Sequence, residues 1–356
     1  MIAAAFTQGG QLNFVERPVP AIGESDILVR VEATSLCGTD VKIARHGHRK
    51  LRQGQTVILG HEFVGTVEKV GLRVENFEAG ERVGVAPNIG CGTCVMCGRG
   101  LMNMCPDYSA FGINVDGSHT EFVRIPATAM LQGNVIRLAE GVSATEASLA
   151  EPLSCAVNGI RVAGVEQGDV VLIYGAGPMG LLNQMLALLS GASEVLVVDL
   201  NDSRLEKART LGAAKTFNPR QGPVAEWVMD TTKNQGVNVA ITAVPAPAIQ
   251  TEAIKLLMPF GRLCLFAGLP VGTPPPPMDT NAIHYKNLVV TGMTGGAPMD
   301  YRTALRLIET RRVDVTQIIS HVLPFGEVGQ AYELALASQG LKIVLAADAD
   351  VAAVES

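Results

Sequence analysis

Two spacings of apolar residues divide this chain into regions of different texture. Residues 1 to about 150 contain short segments in which apolar and polar positions alternate, such as 27–31, 65–70 and 82–85, separated by glycine and proline. Alternation with a period of two predicts short half-buried strands, and the glycines and prolines predict the turns between them. Because no long helical periodicity interrupts this region, it predicts an irregular antiparallel barrel.

The second region opens with a strand, a glycine-rich turn and a helix. Residues 170–174 are apolar and rich in β-branched side chains, as expected of a buried parallel strand. Gly175, Gly177 and Gly180 then form G-x-G-x-x-G, and apolar residues continue at helical spacing to position 189. A second apolar run, 195–198, ends in Asp199. This order predicts an α/β domain with a doubly wound parallel sheet.

The glycine turn has the features of a dinucleotide-binding site. Its glycines permit a tight turn, close approach of the backbone to a pyrophosphate, and close packing of helix on strand. The helix begins with Pro178 and Met179, and its N-terminus favours phosphate charge. Asp199 would accept from ribose hydroxyls and repel a 2′-phosphate, which favours NAD over NADP. Arg204 could instead bind a 2′-phosphate, although we expect it on the solvent face of the next helix.

Weaker patterns predict the remaining elements. Residues 107–121 have strand-like texture with a turn at Asp116 and Gly117, and the prolines at 274–277 predict a surface loop. Other strands are predicted over 237–243, 262–267 and 341–345, and helices over 146–162, 203–211, 300–311 and 325–336. We expect one domain formed by 1–152 with 296–356, and a nucleotide-binding domain formed by 153–295.

Composition limits what the chain can do. Its length of 356 residues exceeds what one core usually holds, which supports two domains. A hydrophobic content of 47% with 17% charged residues indicates a globular protein, and a net charge of −6 argues against nucleic-acid binding. No apolar run approaches a membrane span, and the first residues lack the charged segment of a signal peptide. We therefore expect a cytoplasmic protein without a membrane partner.

Four of the seven cysteines fall within fifteen residues, at Cys91, Cys94, Cys97 and Cys105. In a chain without a secretion signal this clustering predicts metal ligation rather than disulfides. Four thiolates fill the tetrahedral shell of Zn²⁺ and leave no position for a substrate, so the pattern favours a structural zinc. An iron–sulfur cluster would use the same ligands, and four free thiols are the third alternative.

A second set of candidate ligands lies nearer the N-terminus, in Cys37-Gly-Thr-Asp40 and Gly60-His61-Glu62. A thiolate, an imidazole and a carboxylate suit a zinc ion that keeps one open position. On spacing alone, an ordinary buried cysteine and a structural His–Glu ion pair explain these residues equally well. His119 is expected to be a surface or core histidine rather than a ligand.

Taken in order, these motifs resemble the zinc-dependent medium-chain alcohol and polyol dehydrogenases, above all sorbitol dehydrogenase and its polyol and threonine dehydrogenase relatives. The motifs are C-G-T-D from Cys37, G-H-E around His61, G-V-A-P from Gly84, the four cysteines, E-P-L-S from Glu151 and G-A-G-P-M-G from Gly175. The resemblance covers essentially the whole chain. It implies a GroES-like catalytic β-barrel domain joined to a Rossmann domain, and a homodimer or homotetramer.

The resemblance also implies roles for single residues. Cys37 and His61 would be fixed ligands of a catalytic zinc, and Glu62 would be a ligand or a close outer partner. Glu151 would place a carboxylate beside the metal, bound directly or through water. Thr39 would pass the substrate proton toward solvent.

Two features depart from the family or stand out beside it. Polyol dehydrogenases commonly carry a histidine three residues after the relay hydroxyl, where this chain has Lys42, so the relay cannot be assumed intact. Asp40 is expected to orient its segment rather than to react. The basic loop 45–52 could attract an anionic substrate such as a sugar-alcohol phosphate, but we favour a solvated loop.

These features predict an NAD-dependent zinc oxidoreductase with a small-molecule alcohol as substrate. Hydride would pass between NAD and a secondary alcohol, which could be a polyol, a sugar alcohol, a cyclitol or an amino-cyclitol. A phosphorylated polyol or L-threonine is the alternative substrate. A relative that binds NAD without catalysis is the third hypothesis, and the full set of zinc ligands argues against it.

Overall fold

A computed structural model describes residues 1–347 of the chain. These residues fall into two compact units: the first contains Met1–Ser154 and the chain from Gly296 onward, and the second contains Cys155–Gly295. Among residues 1–347, no helix combines the length and the apolar character needed to cross a membrane.

The N-terminal part of the first unit is built from short strands with a few helices. Its strands are β1 (Ile2–Thr7), β2 (Leu12–Glu16), β3 (Ile27–Ser35), β4 (Thr56–Ile58), β5 (Glu62–Val70), β6 (Arg82–Val85), β7 (Asn88–Ile89), β8 (Ser109–Ala110), β9 (Phe122–Ile125) and β10 (Val135–Arg137). Its helices are α1 (Gly38–His46), α2 (Val95–Gly98), α3 (Ala127–Leu131), α4 (Ala144–Ser148) and α5 (Ala150–Ala163), the last of which continues into the second unit.

The second unit alternates strands and helices, and the chain then returns to the first unit. The second unit contains β11 (Val170–Tyr174), α6 (Pro178–Leu189), β12 (Glu194–Val198), α7 (Asp202–Thr210), β13 (Lys215–Phe217), α8 (Val224–Thr231), β14 (Val237–Thr242), α9 (Pro247–Ala253), β15 (Leu257–Leu265), α10 (Thr280–Tyr285) and β16 (Val289–Gly292). The returning chain forms α11 (Pro298–Glu309), β17 (Ile319–Pro324), α12 (Val328–Leu336) and β18 (Lys342–Ala346). Short 3₁₀ helices span Met102–Met104, Pro219–Gln221, Ile254–Leu256, Val315–Ile318 and Phe325–Glu327.

The main sheet of the first unit joins distant parts of the chain. Its strand order is β10-β6-β5-β3-β18-β17, and β9 also pairs with β3. The strands β5 and β18 both lie antiparallel to β3, which is therefore central. Alternate residues of β3 and β5, including Ile27, Val29, Val31 and Val67, are buried in one apolar core. The period-two pattern of the sequence thus reflects the inward face of a closed, mostly antiparallel sheet.

The six strands of the second unit form one parallel sheet in the order β13-β12-β11-β14-β15-β16. This order reverses between β11 and β14, where doubly wound sheets bind their ligands. The predicted strand at 170–174 coincides with β11, and the predicted runs at 195–198 and 237–243 correspond closely to β12 and β14.

Two predicted elements differ from the structure. The strand-like region 107–121 contains only β8, and residues 117–119 instead lie irregularly along residues 58–60 through backbone hydrogen bonds. A Cβ on Gly117 would lie 1.9 Å from the carbonyl oxygen of Gly60, so this approach is closer than a regular strand pair permits. The helix predicted over 146–162 is two helices, α4 and α5, with Leu149 between them.

Candidate active site

Strand register brings Ser35, Glu62 and Lys342 together in the first unit. Ser35, the last residue of β3, pairs with Glu62 on one side and with Val344 on the other. The Lys342 ammonium group forms an ion pair with Oε2 of Glu62, and the Ser35 hydroxyl donates to the same oxygen. Glu62 Oε1 is also buried but has no hydrogen-bond partner within the described part of the chain. One carboxylate oxygen is therefore held while the other is left for a ligand such as a metal ion.

Cys37 and His61 lie beside that carboxylate. Cys37 caps the N-terminus of α1, and His61 directly precedes β5. The Cys37 sulfur, a His61 ring nitrogen and a Glu62 oxygen all lie within 4.8 Å of one another. His61 and Glu62 are buried, while Cys37 is half-buried. A compact set of one thiol, one imidazole and one carboxylate fits a zinc ion that keeps an accessible position.

Asp40 connects the two segments that carry these ligands. Its Oδ2 accepts from the Cys37 backbone N–H at 2.8 Å, and its Oδ1 accepts from the Gly60 N–H at 3.3 Å. The same Oδ1 lies 3.4 Å from Nδ1 of His61. Burial by itself would raise the pKa of Asp40, but the neighbouring His61 and His119 lower it to about 2. Asp40 is thus a buried carboxylate that faces Nδ1 of His61 and leaves Nε2 for a metal, as carboxylates do behind histidine ligands.

Thr39 and Glu151 occupy the same unit but lie outside the three-residue cluster. Thr39 is half-buried in the first turn of α1, and Glu151 is buried near the start of α5. Burial raises the pKa of Tyr301, and the carboxylates of Glu151 and Glu62 raise it further, so both acids share surroundings with this tyrosine. Glu151 is not among the described residues that gather within 4.8 Å of each other.

The residues around α1 that stood out in the sequence have ordinary surroundings. Lys42 is exposed. Lys50 lies 3.8 Å from the centre of the Tyr108 ring and donates to the Tyr108 carbonyl, while Arg45 donates to the Leu336 carbonyl at 2.8 Å. Two cations of the basic loop therefore bind backbone carbonyls, which agrees with the solvated structural loop that we favoured.

The four-cysteine segment forms a second candidate metal centre. All four sulfurs lie within 4.8 Å of one another, with 4.0 Å between Cys91 and Cys97 and 3.8 Å between Cys94 and Cys105. A tetrahedron with zinc–sulfur bonds of about 2.3 Å has edges of about 3.8 Å, whereas a disulfide needs about 2.05 Å. Hydrogen bonds from Thr93 lower the pKa of the Cys91 thiol to about 6, whereas burial raises that of Cys97 to about 11. The spacing fits four thiolates on one ion.

The glycine turn of the second unit lies where β11 meets α6. A Cβ at position 180 would lie 1.8 Å from the Gly175 carbonyl oxygen, so only glycine fits there, and Gly175 has φ of +102°. Gly177 caps α6, followed by Pro178 at the first helical position and then Met179.

Asp199 lies at the end of β12, close to this turn. Its Oδ2 accepts from the Ala176 N–H at 2.7 Å, and its Oδ1 accepts from the Asn201 N–H at 2.8 Å. A cavity of about 720 Å³ is lined by Gly175, Asp199 and Arg204 among others, and its volume suits a nucleotide. Arg204, expected on the solvent face of its helix, is half-buried and lines this cavity, because the first turn of α7 directly follows the end of β12.

Sequence reasoning missed Lys342, Ser35 and Tyr332, and assigned no role to His119. One signal was present, because Lys342 opens the otherwise apolar strand K-I-V-L-A, where a lysine must be paired if it is buried. His119 is a core histidine, as expected, and its Nδ1 lies 2.8 Å from the hydroxyl oxygen of Tyr332.

Comparison with known proteins bears on both units. The family model for the alcohol dehydrogenase GroES-like domain matches residues 23–135, and the zinc-binding dehydrogenase model matches residues 178–310. L-threonine 3-dehydrogenase of Pyrococcus horikoshii is 34% identical over 348 residues, which are 97% of this chain and 98% of that protein. The chain belongs to the zinc-dependent medium-chain alcohol dehydrogenase family. It is therefore an oxidoreductase, and the resemblance read from the motifs is confirmed.

Other members of this family agree with the assignment. An alcohol dehydrogenase of Cupriavidus necator is 31% identical over 352 residues, which are 94% of each chain. The solved structure of the alcohol dehydrogenase TADH from Thermus sp. ATN1 has a TM-score of 0.88 and 30% identity, covering 98% of this chain and all of that one. The predicted combination of a GroES-like barrel with a Rossmann sheet is confirmed.

Proposed function

We propose that this chain is a zinc-dependent dehydrogenase that transfers a hydride between a secondary alcohol and NAD. The cluster of Cys37, His61 and Glu62, with its unpartnered buried oxygen, carries the proposal. The four-cysteine cluster would hold a second, structural zinc, and its closed set of thiols offers no position to a substrate.

The first unit supplies the residues for chemistry. Cys37, His61 and Glu62 would hold the catalytic ion, and Asp40 orients His61. When bound, zinc acts as a Lewis acid that lowers the pKa of the alcohol. Thr39 Oγ1 would receive the hydroxyl proton and pass it to solvent, and Glu151 would keep a negative charge near the ion.

The second unit supplies the cofactor site. The glycine turn and the N-terminus of α6 would bind the pyrophosphate, and Asp199 would accept from the ribose hydroxyls. Solved relatives include one complexed with NADH. The carboxylate at the end of β12 supports NAD over NADP, although Arg204 in the same cavity offers a positive charge.

The proposed substrate is a secondary alcohol that carries a neighbouring hydroxyl or amino group. Polyols and cyclitols are the leading class on the motifs of the sequence. L-Threonine is the second candidate, because relatives named L-threonine 3-dehydrogenase from two Pyrococcus species are 34% and 36% identical to this chain over more than nine-tenths of its length. A phosphorylated polyol has less support, since Lys50 and Arg45 of the basic loop already bind carbonyls.

Zinc content and NAD reduction on the same purified protein test the proposal. We expect about two zinc ions per chain and turnover of polyols, cyclitols or L-threonine, followed by NADH absorbance, with phosphorylated polyols as the fourth class. Cys37→Ser should lose one zinc and all turnover, while Cys97→Ser should lose the other zinc.

Either of two results would overturn the proposal. One zinc per chain that Cys37→Ser still retains would mean that the Cys37 site holds no metal. Two zinc ions without turnover on any class would instead indicate a member that binds NAD without catalysis.

A further inference from the structure

A buried polar chain leads from the proposed catalytic site to α12. His119 Nδ1 lies 2.8 Å from the Tyr332 hydroxyl oxygen. On the other side of the ring, Nε2 lies 3.5 Å from the Ser35 carbonyl oxygen and 3.9 Å from Oδ2 of Asp40. His119 and Tyr332 are each 1% exposed, so no bulk water takes part.

The partners of His119 decide where its ring proton lies. The Ser35 carbonyl and the Asp40 carboxylate can only accept, so Nε2 carries the hydrogen and Nδ1 accepts from the Tyr332 hydroxyl. Burial lowers the pKa of His119, which favours this neutral form, and burial also keeps the Tyr332 hydroxyl protonated by raising its pKa. The direction of the chain is therefore from Tyr332 through His119 to Asp40.

Asp40 is the point where this chain meets the proposed ligands. Its side chain is fully buried, with His61 facing Oδ1 and His119 facing Oδ2. The rotation of the Asp40 carboxylate is therefore restricted from both sides, and the side facing His61 sets which nitrogen of that ring is left for a metal.

The His119 ring also contacts the backbone just before His61. A Cβ at Gly60 would lie 2.4 Å from Cδ2 of His119, and Gly60 has φ of +95°. Only glycine fits between the two, so the ring of His119 packs directly on the residue that precedes His61.

A purely structural role would not require these polar groups. Two aromatic residues of the same shape could fill the space, and replacing both partners of a buried hydrogen bond by apolar groups of equal shape is nearly neutral for stability. The imidazole and the hydroxyl must instead be satisfied inside the core, and the acceptor they lead to lies behind the metal cluster.

We propose that His119 and Tyr332 are positioning residues for the catalytic zinc. They hold the Asp40 carboxylate, and through it the Nδ1–H of His61, so that Nε2 faces the ion. This inference rests on the proposed function, because it requires zinc at the Cys37 and His61 site.

The test compares zinc release from the full-length, zinc-loaded protein with that from His119→Phe, Tyr332→Phe and the double variant. Release to an excess of a coloured chelator should show two phases, and the phase missing from Cys37→Ser belongs to the catalytic site. We expect His119→Phe to accelerate that phase about tenfold, the lower end for outer partners of a ligand. The phase of the four-cysteine site should not change.

Two comparisons separate positioning from general destabilisation. The double variant should release zinc no faster than His119→Phe, because residues that act as one unit are not additive. Ser148→Ala is the matched control: it removes a buried hydroxyl bond to the Thr145 carbonyl in the same unit, at 2.8 Å, and should leave both phases unchanged. Cobalt substitution should also change the visible spectrum of the catalytic site in His119→Phe.

Each outcome bears on one proposal. Wild-type release rates and cobalt spectra in His119→Phe and Tyr332→Phe would overturn the positioning role while leaving the proposed function intact. A wild-type protein that shows only the phase retained by Cys37→Ser would overturn the proposed function itself. Tyr332→Phe keeps the ring that packs on Phe14 and His119, so it serves as the test if His119→Phe does not fold.

Discussion

Among single residues, Lys342 has the largest consequence for the proposed metal site. Burial by itself would lower its pKa, but the charge of Glu62 raises it above the ordinary value, so both groups stay charged in the core. Lys342 also donates to the Leu36 carbonyl at 3.1 Å. Such a pair costs desolvation to form, and removing one partner leaves an uncompensated charge.

We therefore expect Lys342→Met to destabilise the metal-free protein by about 3–5 kcal/mol, because the Glu62 carboxylate would be buried alone. Denaturant unfolding followed by circular dichroism, with chelator present, measures the loss. Lys342→Met combined with Glu62→Gln should recover much of it. An unfolding midpoint equal to that of the wild type in the single variant would contradict the argument.

Asp199 is the residue on which cofactor choice depends. Asp199→Ala should raise KM for NAD about 10- to 100-fold, since a hydrogen bond to a charged group contributes about 1.5–3 kcal/mol. The same change should improve the use of NADP, because it removes the charge that repels a 2′-phosphate and leaves Arg204 in the cavity. Glu206→Gln, on the exposed side of α7, is the control for a general change of charge. Unchanged kinetics with both cofactors would place the ribose elsewhere.

At the scale of elements, the four-cysteine lobe has little secondary structure of its own. Between Cys91 and Cys105 it contains only the four residues of α2 and one 3₁₀ turn. Few backbone bonds hold such a segment, and a metal ion would supply the missing stability.

The pKa values of this lobe predict how its zinc affinity depends on pH. Metal binding must displace the Cys97 proton, since burial raises the pKa of that thiol to about 11. Protons therefore compete less as pH rises, and the apparent affinity should increase at least about tenfold per pH unit between pH 7 and 9. Competition with a zinc indicator measures this slope, and a flat profile would exclude thiol ligation. The Cys37→Ser variant limits the measurement to this lobe.

At the scale of the whole molecule, the two units carry different proposed ligands. The candidate metal clusters belong to the first unit, and the glycine turn and the nucleotide cavity belong to the second. The single tryptophan, Trp227, lies in the second unit and stacks on Phe217 with ring centres 4.9 Å apart. Its fluorescence therefore reports on the unit with the proposed cofactor site.

We expect NAD at 100 times its Kd to stabilise the protein by about 2.7 kcal/mol, seen as a higher unfolding temperature by Trp227 fluorescence. Gly180→Val should abolish this shift, because any Cβ at that position collides with the Gly175 carbonyl. Ser193→Ala, which removes a surface hydroxyl bond to the Gly168 carbonyl in the same unit, should keep the shift. A shift of equal size in Gly180→Val would mean that NAD binds elsewhere.

Most of the architecture could be predicted because the deciding patterns are local. The strand β11, the turn at Gly175 and the helix that follows are contiguous, so their spacing alone identifies them. The break at Leu149 and the irregular path of residues 117–119 could not be predicted, since they depend on close packing against other segments. Local periodicity does not record such contacts.

By itself, the sequence determined the family, the two kinds of sheet, the four-cysteine cluster and the glycine turn, because each is encoded by neighbouring residues. Only the tertiary structure decided the surroundings of the proposed catalytic ligands. Lys342 reaches Glu62 across 280 positions, and Tyr332 reaches His119 across 213. These contacts follow from the register of β3 with β5 and β18 and from the packing of α12, which distant parts of the chain determine together.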